Sequence, residues 1–187
     1  MPNKQAFLSN TKLFNESMQK LKEHLATNYY ELYKEWHYKD IEARVFGEEL
    51  LSQSGADPTT YKFHIFGKNH TQNFIQVTTE RFSENYQRAI MDYSWKPTPF
   101  GLAYDNTKLK HTPPHPATLE SMINLAHILA EPFAYVRVDL YNADSAQKDC
   151  AFVGELTFTP MGGTDKFVPI EYDKKFGDLW NIKDLQC

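Results

Sequence analysis

Phe14, Met18, Leu21 and Leu25 recur at steps of three and four among Lys, Glu and Gln, the spacing that gathers apolar side chains on one side of a helix. Residues 12–34 are therefore expected to form an amphipathic helix that docks on a core. Beyond the aromatic and charged stretch 29–38, the pattern changes to short β-like runs at 43–51, 61–66 and 73–79. Turn-forming residues at 52–60, with Gly55, Asp57 and Pro58, and at 67–70 separate these runs, which predicts an antiparallel meander. Pro97, Pro99, Pro113, Pro114 and Pro116 then forbid a long regular element, so residues 94–116 read as an ordered loop across one face. Helical spacing returns at 117–130, where Leu119, Met122, Ala126 and Leu129 make one stripe and Pro132 ends it. Two runs rich in Val, Phe, Tyr and Thr, at 133–141 and 151–159, flank the polar linker 142–149 and predict a hairpin. The fold class is thus α+β, with mostly antiparallel strands and packed helices.

Composition narrows the partners rather than the fold. A chain of 187 residues that is 41% hydrophobic can bury a sizeable core without disulfides, so one domain over 1–187 is expected, either undivided or lobed at 92/93. A net charge of -4 and a pI near 6.0 supply no basic footprint for nucleic acid. With only Cys150 and Cys187, a reducing compartment is expected, and the cytoplasm follows as the predicted location. The opening residues lack a signal-peptide core, and Arg137 and Asp139 interrupt the most apolar later segment, so no membrane span is predicted.

The predicted hairpin carries the candidate chemistry. Side chains alternate along a strand, which puts Arg137, Asp139 and Tyr141 on one face and Val136, Val138 and Leu140 on the other. On the partner strand the same rule groups Val153, Glu155, Thr157 and Thr159 against Leu156 and Phe158. If the polar faces coincide, two carboxylates, a hydroxyl and a guanidinium converge. That arrangement suits Mg²⁺ with phosphate oxygens, the cation on the carboxylates and the phosphate on Arg137. The plainer alternative is a cross-strand ion pair between Arg137 and Glu155 on a solvated sheet, with Asp139 simply exposed. Trp36 and Trp95 read as packing anchors. His111 and His115 are set aside as metal ligands, because the Pro-rich segment between them is a poor rigid frame.

Arg137-Val138-Asp139 followed by the run from Gly154 through Glu155, Thr157 and Pro160 to Gly163 resembles the end of an ATP-grasp domain. The resemblance is to the teichuronopeptide-biosynthesis-like (TupA-like) branch, whose members are often labelled glycosyltransferases. Trp36 to Ile41, Phe46 to Leu51, Tyr61 to Gly67 and Asp92 to Trp95 are similar to the same branch in the same order, so the likeness covers most of the chain from about residue 13.

This resemblance implies an ATP-grasp-like fold that uses ATP and Mg²⁺. It implies Asp139 and Glu155 as Mg²⁺ ligands, with Thr157 where the superfamily carries an Asn. A hydroxyl is a poorer neutral ligand than an amide carbonyl, which predicts a weaker or water-filled second metal position. Arg137 and Lys62 are implied as contacts of the transferred phosphate, Glu48, Glu49 and Leu51 as the hinge that meets adenine and ribose, and Arg81 as a secondary contact. Superfamily members also carry an upstream domain with a Gly-containing phosphate loop. No Gly precedes Gly47 here, so the N-terminal lobe and that loop are expected to lie outside this chain, with a partner chain as one source of them. The implied reaction is carboxylate activation by ATP followed by attack of an amine, on a carboxylate- or sugar-bearing precursor of cell-surface polysaccharide. Transfer from a nucleotide sugar and a non-catalytic copy that needs a partner subunit are the alternatives.

Overall fold

The computed structural model describes residues 10–48, 51, 58–67, 72–80, 84–142 and 151–180. The chain divides into two compact units, residues 1–49 and 50–187, and the main sheet of the second takes strands from both sides of residue 92.

In the first unit, α1 (Thr11–Leu25) starts where the Asn10 side chain accepts from the Leu13 amide, a bond that satisfies one of the free donors at a helix start. Asn28 caps α2 (Tyr29–Tyr33) in the same way, so the single helix expected over 12–34 is two. The predicted stripe of α1 is present, and its own unit leaves Phe14, Met18, Leu21 and Leu25 37–41% exposed. Residues 41–48 form no strand, contrary to the run read at 43–51. Arg44 there bonds back to Glu42, a local ion pair in place of a ladder. Trp36 is 66% exposed, so in place of a core contact its ring meets Tyr30 edge-on and carries Lys39 over its face.

In the second unit, β1 (Thr59–Phe66), β2 (Phe74–Thr79), β3 (Gln87–Met91), β5 (Tyr135–Asn142) and β6 (Ala151–Thr157) make a sheet of order β3-β2-β1-β5-β6. Every neighbouring pair is antiparallel. The meander is therefore real but lies one strand later than expected, with β3 in place of 43–51. The loop 94–116 is irregular, with the short β4 (Gly101–Leu102) and a turn of 3-10 helix at Asn106–Lys108. It is pinned by Asn106, which is 2% exposed. Its side-chain amide accepts from Ile90 N and donates to the Ile90 and Thr98 carbonyls, so a buried polar group is fully engaged.

One face of this sheet is apolar. Tyr61, Phe63, Ile65, Ile75, Val77, Val136, Val138 and Leu140 pack there against Leu119, Met122, Ala126 and Ala130 of α3 (Leu119–Ala130). The helix presents its stripe as its 3.6-residue period requires. Trp95 is buried in the same core, and its indole donates to the Pro113 carbonyl, so this Trp does anchor packing. At one end of the opposite face, Phe66, Phe74, Ile90 and Tyr135 meet Phe100, Leu102 and Phe176. Phe176 comes from α4 (Glu171–Gly177), and Leu102 pairs with Phe167 of β7 (Phe167–Val168). The rest of that face is polar. No helix among the described residues is long and apolar enough to cross a membrane. Cys150, Cys187, Arg81, the linker 143–150 and most of the turns at 52–57 and 68–71 lie outside the described residues.

Candidate functional site: a four-charge cluster on the sheet face

Register places the cluster. β5 pairs Asp139 with Lys62 on one side and with Glu155 on the other, while Arg137 lies opposite His64 and Thr157. Side chains of paired residues point to the same side, so Lys62, His64, Arg137, Asp139, Glu155 and Thr157 share one face. The register breaks between Asp139 and Leu140, where Gly154 is the extra residue of β6. A β-bulge of this kind turns the strand. It moves Val153 opposite Leu140, off the face of Glu155, which corrects the strict alternation expected from Val153 to Thr159. A Cβ on Gly154 would come within 2.3 Å of the Tyr141 ring, so any larger residue at the bulge would have to displace that ring.

Asp139, 2% exposed, is the hub. Its carboxylate accepts from Lys62 Nζ, from Arg137 Nε at 2.7 Å and from Arg137 Nη2 at 3.0 Å. The same Nη2 donates to Glu155 Oε1 at 2.6 Å, and the Thr157 hydroxyl donates to that oxygen at 2.6 Å. The plain alternative is therefore half present: the Arg137–Glu155 pair exists, but Asp139 is buried rather than exposed. Two cations and two carboxylates balance formally, which is what allows this much charge to leave water.

The electrostatics follow the same contacts. Burial pushes the Glu155 carboxyl up, but the Thr157 hydroxyl, Arg137 and Lys62 outweigh it and hold the group below its usual range. Burial works against the charge of Arg137, and the Asp139 bonds and the Glu155 charge reverse that and strengthen its hold on the proton. Beside the cluster, His64 is driven well below the ordinary imidazole range, first by burial and then by the charges of Arg137 and Lys62. It is a neutral ring. Its Nδ1 is 2.9 Å from Tyr135 Oη, and burial raises the Tyr135 phenol, so that hydroxyl keeps its proton.

The donor set suits a small hard cation of one kind. Among the described residues no three of His, Cys, Asp and Glu group as metal ligands, so an all-protein cage is absent there. What the cluster does contain is one position, now Arg137 Nη2, within 3.0 Å of an oxygen from each carboxylate. Two carboxylates with the remaining positions left to phosphates and water match the coordination Mg²⁺ prefers. The guanidinium must swing away to free that position, and Glu155, whose side chain is 57% exposed, is the open side.

Of the residues singled out in the sequence, the structure brings together Lys62, Arg137, Asp139, Glu155 and Thr157. Glu48 lies in irregular chain in the first unit and Leu51 in the second, and Glu49 is outside the described residues. Two members were missed. His64 and Tyr135 alternate with Lys62 and Arg137 along their strands, and that period of two was the available signal.

The chain matches the family model described as TupA-like ATPgrasp over residues 5–181. No curated protein and no solved structure matches it.

Proposed function

The chain belongs to the TupA-like ATP-grasp family, and on that premise we propose that it activates a carboxylate with ATP and passes the acyl group to an amine, in the assembly of a cell-surface polysaccharide in the cytoplasm. The observation that carries this reading is the single position within hydrogen-bonding reach of both Asp139 and Glu155. Asp139 and Glu155 would hold Mg²⁺, which when bound neutralises phosphate charge and draws the phosphates to the sheet. Arg137, released from the carboxylates, and Lys62 would then face the transferred phosphoryl group and offset the charge that develops on it. Thr157 keeps Glu155 oriented through its hydroxyl. Residues 48, 49 and 51 are the proposed contacts of adenine and ribose.

In the first step a carboxylate oxygen of the acceptor attacks the γ-phosphorus, the bond to the β–γ bridging oxygen breaks, and ADP leaves. In the second the amine nitrogen attacks the acyl carbon, phosphate leaves, and the nitrogen gives up a proton. Release of ADP and phosphate that requires both a carboxylate and an amine, screened across uronic acids, amino acids and amino sugars, is the expected result. Turnover of a nucleotide sugar without any response to ATP plus carboxylate would replace this reading with glycosyl transfer.

A further inference from the structure

Asp139 and Glu155 are cross-strand partners. Like charges set directly opposite each other destabilise a sheet, so the space between these two carboxylates demands a cation. Arg137 supplies one from within the chain. Its Nη2 lies 3.0 Å from Asp139 Oδ2 and 2.6 Å from Glu155 Oε1, and its Nε lies 2.7 Å from Asp139 Oδ1. Every hydrogen bond of this guanidinium among the described residues goes to those two carboxylates. Lys62 does not share the place, because its ammonium bonds Asp139 alone.

The same contacts show how Arg137 is released. Its own cross-strand neighbours are His64 and Thr157, a neutral imidazole and a hydroxyl, so the strand pairing offers it no other anion. Its bond to Glu155 lies on the open side of the cluster, where that side chain is 57% exposed. A divalent cation added while Arg137 stayed in place would leave the four-charge cluster two charges positive, with Lys62 only 18% and Arg137 only 12% exposed. Little water reaches such a surplus to screen it. Phosphate oxygens cancel it, and they give the guanidinium a bidentate partner in place of the carboxylates.

We propose that Arg137 is a built-in stand-in for the divalent cation: guanidinium and metal ion exclude each other from the position between Asp139 and Glu155, so the chain takes the ion only together with a phosphate ligand that draws Arg137 away. The coupling is reciprocal, each ligand raising the affinity for the other. As regulation of the site this rests on the reading of the cluster as a Mg²⁺-nucleotide site, whereas the exclusion itself requires only the three side chains. Titration of the full chain with Mn²⁺ alone, with the free ion followed by electron paramagnetic resonance, tests it. Arg137→Gln is expected to bind Mn²⁺ about tenfold more tightly than the native chain, and Glu155→Gln added to it is expected to abolish that gain. Arg137→Lys, whose ammonium keeps the charge but not the forked reach, is expected to fall between. Equal affinity in the native chain and Arg137→Gln, or a gain that survives Glu155→Gln, overturns the proposal. If the variants fail to fold, the unaltered chain carries the test through its melting temperature. Mg²⁺ alone is expected to leave that temperature unchanged, and Mg²⁺ with a non-hydrolysable ATP analogue to raise it; a rise with Mg²⁺ alone, or none with both, overturns the coupling. A gain of Mn²⁺ binding in Arg137→Gln without nucleotide binding by the native chain keeps the exclusion and removes the nucleotide assignment, and the reverse removes only the exclusion.

Discussion

Asp139 holds two cations at once, and no other carboxylate in the cluster is as deeply buried. Its replacement by Asn removes the charge that both Lys62 and Arg137 were folded against. Breaking a buried pair costs about 3–5 kcal/mol, and with Lys62 18% and Arg137 12% exposed solvent softens this to about 2–4 kcal/mol. Urea unfolding should give that loss for Asp139→Asn and less than half of it for Glu155→Gln, whose side chain already meets water. Equal losses would place Glu155 at the hub instead. The Arg137 and Asp139 part of this site was legible in the sequence, because residues two apart on a strand share a face. The Lys62–Asp139 contact was not, since it joins residues 77 apart through a strand pairing that periodicity does not encode. Only resemblance had pointed to Lys62.

At the scale of the element, β6 and α3 carry the predictions. Gly154→Ala puts a methyl into the Tyr141 ring and near the Asp139 carbonyl, an overpacking that costs about 1–3 kcal/mol. Adding Tyr141→Ala should recover part of that loss in a double-mutant cycle, and a cycle with no coupling would mean that the backbone contact dominates. Met122, fully buried on α3, should lose about 2–5 kcal/mol on truncation to Ala, measured by thermal or urea unfolding. A glycine inside a strand pattern is a bulge signal, and it was in the sequence at Gly154, yet period-two counting passed over it and misplaced Val153. Helix α3 and the β5–β6 hairpin were readable because their periods are strong and local. Strand β3 was missed because Gln87-Arg88-Ala89-Ile90-Met91 is short and half polar, and only its partner β2 makes it a strand. Residues 43–48 erred the other way, with β-like side chains and no partner among the described residues.

For the whole molecule, His64 links folding to pH. Its folded-state pKa lies below the unfolded value near 6.5, so the unfolded chain binds the extra proton as pH falls, and stability present above 6.5 is lost progressively below it. The slope contributed by this one group is at most about 1.4 kcal/mol per pH unit. Melting temperatures recorded from pH 7.5 down to 5.5 should fall more steeply for the native chain than for His64→Gln. Parallel curves would show that the ring titrates as it does in the unfolded state.

The central claim is that Asp139 and Glu155 form a Mg²⁺-nucleotide site, and the most direct test is isothermal titration of the chain with a non-hydrolysable ATP analogue, with and without Mg²⁺, beside Asp139→Asn and Glu155→Gln. The account predicts binding that requires Mg²⁺ and is lost in both variants while each remains folded by circular dichroism. Binding that is indifferent to Mg²⁺, or that survives in either folded variant, would contradict it.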